Sequence, residues 1–244
     1  MDQQLPKIKK EDVPGEAQIG DKEIKQFAPD LINQGPKLAM DLGVIHKVKP
    51  LVDKVFNQIA LVTHSNVSSR VKDPKQIVRK IVQKRMEDRS YQQSDINDAL
   101  GYRFTYISDI QKQHIESALE QANKQNKFII LKQEDRNKAD YHATHFDCLF
   151  PIGQGKSIRI EVQVLSTKDA AQASLDHDNH FIHGEQIPKS KQKEVKKQMS
   201  SVSQMPPIKQ KMVESTMIAA HKQNGDGVLP QGFGNKVVDA VKRS

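Results

Sequence analysis

The chain has 244 residues, 36% hydrophobic and 28% charged, which suits one well-buried domain with polar ends and excludes a wholly disordered chain. Lys and Arg number 38 against 30 Asp and Glu, and the formal charge of +8 favours polyanionic partners such as nucleotides or RNA. Cys148 is the only cysteine, which excludes an internal disulfide and a cysteine-built zinc site. No apolar run reaches signal-peptide or membrane-span length, so the expected setting is the cytoplasm, with no membrane partner.

Residues 1–24 mix Pro, Gly and charge without periodicity and read as a flexible arm. Helical segments follow, broken around Gly35-Pro36 and again at Pro50. The later one carries Leu51, Val55, Ile59 and Val62 at helical spacing. "DPKQIVRKIVQKRMED" opens with Asp73 as N-cap and Pro74 at the first helical position, and Ile77, Ile81, Val78 and Val82 give it an apolar side. "ALGYRFTYI" reads as a strand, "SDIQKQHIESALEQANKQN" as a helix capped by Ser108 or Asp109, and "KFIILKQ" as a second strand.

"THFDCLFPIGQGKSIRIEVQVL" reads as an antiparallel hairpin closed by a glycine-containing turn, with a helix over "TKDAAQASLDHDNHF" after it. Beyond Gly184 come a basic segment and a more apolar helix, separated by Pro206-Pro207, then a tail from Asn224 that reads mostly as loop. The expected organisation is an arm over 1–24, one domain with N-terminal helices over 25–184, and a basic helical extension over 185–244. Helices alternating with strands and a hairpin predict an α/β or α+β fold with a mixed sheet flanked by helices.

The chemistry centres on the last strand. Ile158, Ile160, Val162 and Val164 share one face, while Arg159, Glu161, Gln163 and Leu165 share the other. Pattern alone also accommodates a solvated edge strand with Glu161 paired to Arg159. Asp98 precedes the first strand, and if the two strands adjoin, Asp98 and Glu161 face one cleft and form a carboxylate pair for a divalent cation. Arg70 and Lys72 lie before the basic helix and Lys80 and Lys84 one turn apart on it. A polyphosphate is held by cations so arranged, although a solvated Lys-rich face has the same pattern.

"RVKDPKQIVRK", "DALGYRF", "YHATHFD", "EVQVLST" and "ASLDH" occur in this order over about residues 68–180. The set resembles the synthetase motifs of RelA/SpoT-type alarmone synthetases, written RxKxxxSxxxK, DxxGxR, YxSxH and ExQxRT. The resemblance implies a nucleotidyltransferase-like fold and transfer of the β,γ-pyrophosphate of ATP to a 3′-hydroxyl, that of GDP or GTP, with Mg²⁺ as cofactor. It assigns Arg70 and Arg103 to the adenine of ATP, Lys72 and Lys80 to the triphosphate, and Asp98 and Glu161 to the metal. It further implies that Glu161 orients or deprotonates the attacking hydroxyl. Tyr141 would stack on the acceptor base, His145 would sit beside the acceptor phosphates, and Gln163 takes the second polar position of the glutamate strand.

Three motifs depart from the pattern: Gln76 stands at the serine position, His142 and Thr144 occupy the YxSxH segment, and Leu165 replaces the arginine. They leave the acceptor open, with the tRNA 3′ end or an adenine nucleotide as an alternative to GDP or GTP, and a non-catalytic nucleotide- or RNA-binding module as a second. Oligomeric state and any antitoxin partner are left open too. His177, Asp178, His180 and His183 resemble a hydrolase metal motif. The upstream histidines such a domain needs are lacking, since only His46 and His64 precede residue 65, and a histidine-rich helix end is the better reading. Cys148, Phe146 and Phe150 read as core, and the Lys189–Lys197 cluster as a solvated basic helix or an RNA grip.

Overall fold

The computed structural model describes residues 13–14, 19–33, 35–138, 141–176, 197, 200–202, 204–223 and 233–244. Three helices lead: α1 (Asp21–Phe27), α2 (Pro29–Asn33) and α3 (Gly35–Val62). The alternating region follows as β1 (Asn66–Val71), α4 (Pro74–Glu87), β2 (Leu100–Tyr106), α5 (Asp109–Lys124), β3 (Ile129–Lys138), β4 (Tyr141–Gly153), β5 (Lys156–Ser166) and α6 (Thr167–Asp176). Two helices close the chain, α7 (Pro207–Gln223) and α8 (Phe233–Arg243). The strands form one sheet in the order β1-β2-β5-β4-β3, with β2 and β5 parallel and every other pair antiparallel. This is the mixed α/β architecture expected.

The local signals act as the residue types require. Asp73 caps α4, its carboxylate accepting from the Lys75 N–H at 2.8 Å with Pro74 at the first helical position, and Ser108 caps α5 by accepting from Gln111 N–H. The β4–β5 hairpin turns through Gly153, Gln154 and Gly155, all at positive φ, a conformation that costs glycine little. Along β5 the alternation holds: Ile160, Val162 and Val164 are fully buried on the face that packs with Phe104, Phe146 and Cys148. Burial pushes the Cys148 thiol up to about 12, so this cysteine is an inert core residue.

The structure corrects several expectations. The packed chain begins before residue 24, since Ile19 is buried and α1 starts at Asp21. Pro50 does not break the chain; it lies inside α3. The missing N–H costs one ladder bond, but the downstream turns are held by burial of Val52, Phe56, Ile59 and Ala60. That stripe is rotated from the one expected: Leu51 and Val62 are 60% and 66% exposed, while Phe56 sits 4.5 Å from the Tyr102 ring and 5.4 Å from Phe128. Strand β1 has no counterpart among the expected elements because "NVSSRV" has only two apolar residues; it is an edge strand completed by β2. The C-terminal tail is not mostly loop where described: Val237, Val238 and Val241 of α8 bury against Val213 and Met217 of α7. His177 to His183 and most of the Lys189–Lys197 cluster lie outside the described residues, and Lys197 is exposed.

Candidate active site

Ladder register carries the predicted residues onto one face of the sheet. Arg70 on β1 is opposite Gly101 on β2, and Gly101 is opposite Glu161 on β5. Two residues on, Ser68, Arg103, Gln163 and His145 form the next row across β1, β2, β5 and β4. Partners in a ladder point to the same side, and residues two apart repeat that side. Arg70, Arg103, Glu161, Gln163 and His145 therefore share the face opposite the hydrophobic core, and Tyr141 joins them four residues before His145. Gly101 contributes no side chain between Arg70 and Glu161, and the nearest atom to a Cβ built there is 4.0 Å away, so the floor between those two residues is open.

A hydrogen-bonded chain crosses this face. Arg103 Nε donates to Gln163 Oε1 at 3.4 Å, and Gln163 Nε2 donates to Glu161 Oε2 at 2.8 Å. Glu161 Oε1 lies 3.1 Å from His145 Nδ1, and His145 Nε2 lies 3.3 Å from the Tyr141 hydroxyl. The tautomer that satisfies both contacts carries its proton on Nδ1, donates to Glu161 and accepts from Tyr141. Burial pushes the Glu161 carboxyl up, but the hydrogen bonds from His145 and from the Gln163 amide outweigh it, and Glu161 is held below the usual carboxylate range.

The second cluster stands at the start of β2. Lys72 N–H donates to Ala99 O at 2.8 Å, carrying the β1–β2 ladder one step past Val71 and Leu100 and bringing Lys72 beside Asp98. Asp98 Oδ2 receives Lys72 Nζ at 3.0 Å and Lys80 Nζ, from α4, at 2.6 Å. Burial raises the Asp98 carboxyl, and the two ammonium groups reverse this and hold it at about 2. Its other oxygen, Oδ1, is buried and has no hydrogen-bond partner. The Asp98 charge acts on Glu161, so the two clusters adjoin. Among the described residues no group of three or more His, Cys, Asp or Glu could hold a metal. A two-carboxylate site with a spare Asp98 oxygen instead fits Mg²⁺, which takes one or two carboxylates and completes its shell with water and substrate phosphate.

The edge-strand pairing of Glu161 with Arg159 is not what forms: Arg159 pairs instead with Asp147, its carboxylate neighbour on β4. Tyr141 and His145 lie in β4 and not in a loop, because β4 extends three residues beyond its expected start and pairs with both β3 and β5. Leu165, at the position where the motif has arginine, is fully buried with Ala143 and with Ala170 of α6, and Tyr141 packs against this cluster. Packing under α6 explains that departure. Glu214 of α7, 2% exposed and lining the same region as Arg103, belongs to no motif, and nothing in its sequence neighbourhood singles it out.

Residues 69–188 match the family model described as a region found in RelA / SpoT proteins. The chain carries a RelA/SpoT-family domain. Its fold is that of small alarmone synthetase 1 from Bacillus subtilis, at 15% identity and a TM-score of 0.57 over 79% of this chain and 100% of that one. A structure of that enzyme bound to its product pppGpp aligns at 16% identity and a TM-score of 0.50, over 73% of this chain and 92% of that one. Small alarmone synthetase 2 from the same organism aligns at 17% identity and a TM-score of 0.51, over 74% and 97%. No curated protein matches the chain. No described helix of this RelA/SpoT-family chain is long and apolar enough to cross a membrane.

Proposed function

We propose that this RelA/SpoT-family chain is a pyrophosphokinase that moves the β,γ-pyrophosphate of ATP to the 3′-hydroxyl of GDP or GTP. The observation that carries the reading is the unbroken chain Arg103–Gln163–Glu161–His145–Tyr141 beside the Lys72–Asp98–Lys80 cluster. It supports a donor end, a charged middle and an acceptor end on one surface.

At the donor end, Arg70 on β1 and Arg103 on β2 are diagonal neighbours across the ladder, roughly 7–8 Å apart, which leaves room for one flat base between two guanidinium planes. In the middle, Lys72 and Lys80 offer ammonium groups to the triphosphate, and Asp98 and Glu161 would hold Mg²⁺, which when bound supplies charge neutralisation at the transferred group. The acceptor 3′-oxygen attacks the β-phosphorus, the bond from that phosphorus to the α,β-bridging oxygen breaks, and AMP leaves with that oxygen. The hydroxyl proton passes to Glu161. His145 fixes the orientation of Glu161 through Nδ1–H, and Tyr141 offers its ring to the acceptor base.

Incubating the full chain with β-labelled ATP and, separately, GDP, GTP, ADP or tRNA tests this. AMP release with label on GDP or GTP is expected. Label only on tRNA or ADP replaces the acceptor, and tight ATP binding without AMP release replaces catalysis with a binding role.

A further inference from the structure

Helix α7 lies beyond the segment that matches the RelA/SpoT model, yet it reaches the donor end of the face just described. It packs through Val213, Met217 and Ala220 into a small core with Ala171 of α6 and with α8. On the same buried stripe stands Glu214. A buried carboxyl is costly unless something answers it. Gln210, one turn earlier, is answered, since its Nε2 donates to Met205 O at 2.6 Å. Glu214 Oε2 has no hydrogen-bond partner.

The Glu214 side chain lines a cavity of about 710 Å³ together with Ser68, Arg103, Thr105 and Ser215. Thr105 follows Arg103 on the same face of β2 and stands beside the Glu214 carboxyl. Glu214 therefore lies on the side of Arg103 away from Arg70. Arg103 is also the leading opposite charge acting on it. Within the sheet Arg103 is held weakly, by a 3.4 Å contact to Gln163, whose amide N–H is already committed to Glu161. A guanidinium stacked on a base uses its face and leaves its edge N–H groups to be satisfied.

We propose that Glu214 is a positioning residue of the donor site: when ATP binds, its spare carboxylate oxygen takes edge N–H groups of Arg103 from behind, a contact not made in the ligand-free chain, and holds that guanidinium as a wall against the base of ATP. The inference rests on the donor reading above. It makes the C-terminal helices part of nucleotide binding and not only of the fold.

The test is calorimetric titration of Mg-ATP, at a pH of about 8.5 where the Glu214 carboxyl is ionised, into the full chain and three variants, Arg103→Ala, Glu214→Gln and the double substitution. Each single change should weaken binding, Glu214→Gln by about tenfold for a lost charge-assisted hydrogen bond. The double variant should be no weaker than Arg103→Ala alone, because the two residues act as one unit. In turnover, Glu214→Gln should raise KM for ATP and leave kcat nearly unchanged. Glu214→Asp keeps the charge, should bind between parent and amide, and carries the same cycle if the amide variant does not fold. Parent-like affinity in Glu214→Gln beside a weakened Arg103→Ala overturns the role of Glu214 alone, as do strictly additive losses. Parent-like affinity in Arg103→Ala overturns the donor reading itself.

Discussion

Asp98 has two lysines on one oxygen and nothing on the other, while Glu161 has both oxygens engaged, one by His145 and one by Gln163. On the proposed reading the difference suits them to different work: Asp98, anchored by Lys72 and Lys80, would keep an oxygen for the metal, and Glu161, fixed by His145 and Gln163, would in addition take the acceptor proton. Asp98→Asn and Glu161→Gln preserve shape and remove charge, and each should lower turnover by roughly 10²–10⁴-fold. Near-parental turnover in either, with an unchanged circular dichroism spectrum, would remove that residue from the mechanism. The same carboxyls make the fold acid-sensitive. Asp98 is depressed from 3.8 to about 2, so its stabilising contribution is fully present above pH 4 and is lost as pH falls from about 4 toward 2. The contribution is about 2 kcal/mol, and a denaturant series at pH 5 and pH 2.5 should show the parent lose most of it, a loss that Asp98→Asn does not share.

Among the elements, α3 and α7 show how packing overrides local pattern. Phe56 of α3 is fully buried between Tyr102, Phe104 and Phe128, whereas Leu51 is exposed. Phe56→Ala should cost about 3–5 kcal/mol of stability and Leu51→Ala roughly 0.5 kcal/mol or less. Equal losses in urea titration would restore the stripe that spacing alone suggested. On α7, burial pushes Glu214 up to about 7 against the pull of Arg103 and Lys211. A carboxyl whose pKa is raised by folding keeps its proton to higher pH in the folded chain and ionises only above about 7, so the parent loses stability as pH climbs from about 4.5 through 7. Glu214→Gln has no such loss, and its melting temperature relative to the parent should rise over that interval, by an amount equivalent to about 3 kcal/mol. A difference independent of pH would mean that Glu214 is not buried as described.

For the whole molecule, most of the +8 charge belongs to residues 185–244, where 11 Lys and Arg stand against 5 Asp and Glu. On the proposed reading a free nucleotide is held by Arg70, Lys72, Lys80 and Arg103. RNA would engage the basic stretch as well and release several counterions, making its use steeply salt-dependent. With GDP or GTP as acceptor, the reaction should have a shallow salt dependence, and replacing Lys193, Lys196 and Lys197 together by Ala should leave it and ATP binding unchanged. Rates measured between 50 and about 300 mM salt check this; a steep slope that the triple substitution flattens would point to RNA.

Local order fixed what the sequence could reveal. The caps at Asp73 and Ser108, the hairpin turn at Gly153–Gly155 and the period-2 alternation of β5 are short-range signals, and each is readable in place. The site residues are readable as well, because motifs preserve order and spacing along the chain. Their convergence is not, since it depends on β2 and β5 being parallel neighbours, a pairing that brings together residues 60 apart. The same holds for β1, whose polar sequence becomes a strand only against β2, and for α8, whose valines favour a helix only once α7 covers them. Glu214 is the extreme case: a lone glutamate in a helix reads as a solvated charge, and only the docking of α7 on α6 turns it inward toward Arg103. Propensity and spacing act over a few residues, whereas burial and cross-strand register are set by which distant segments end up side by side.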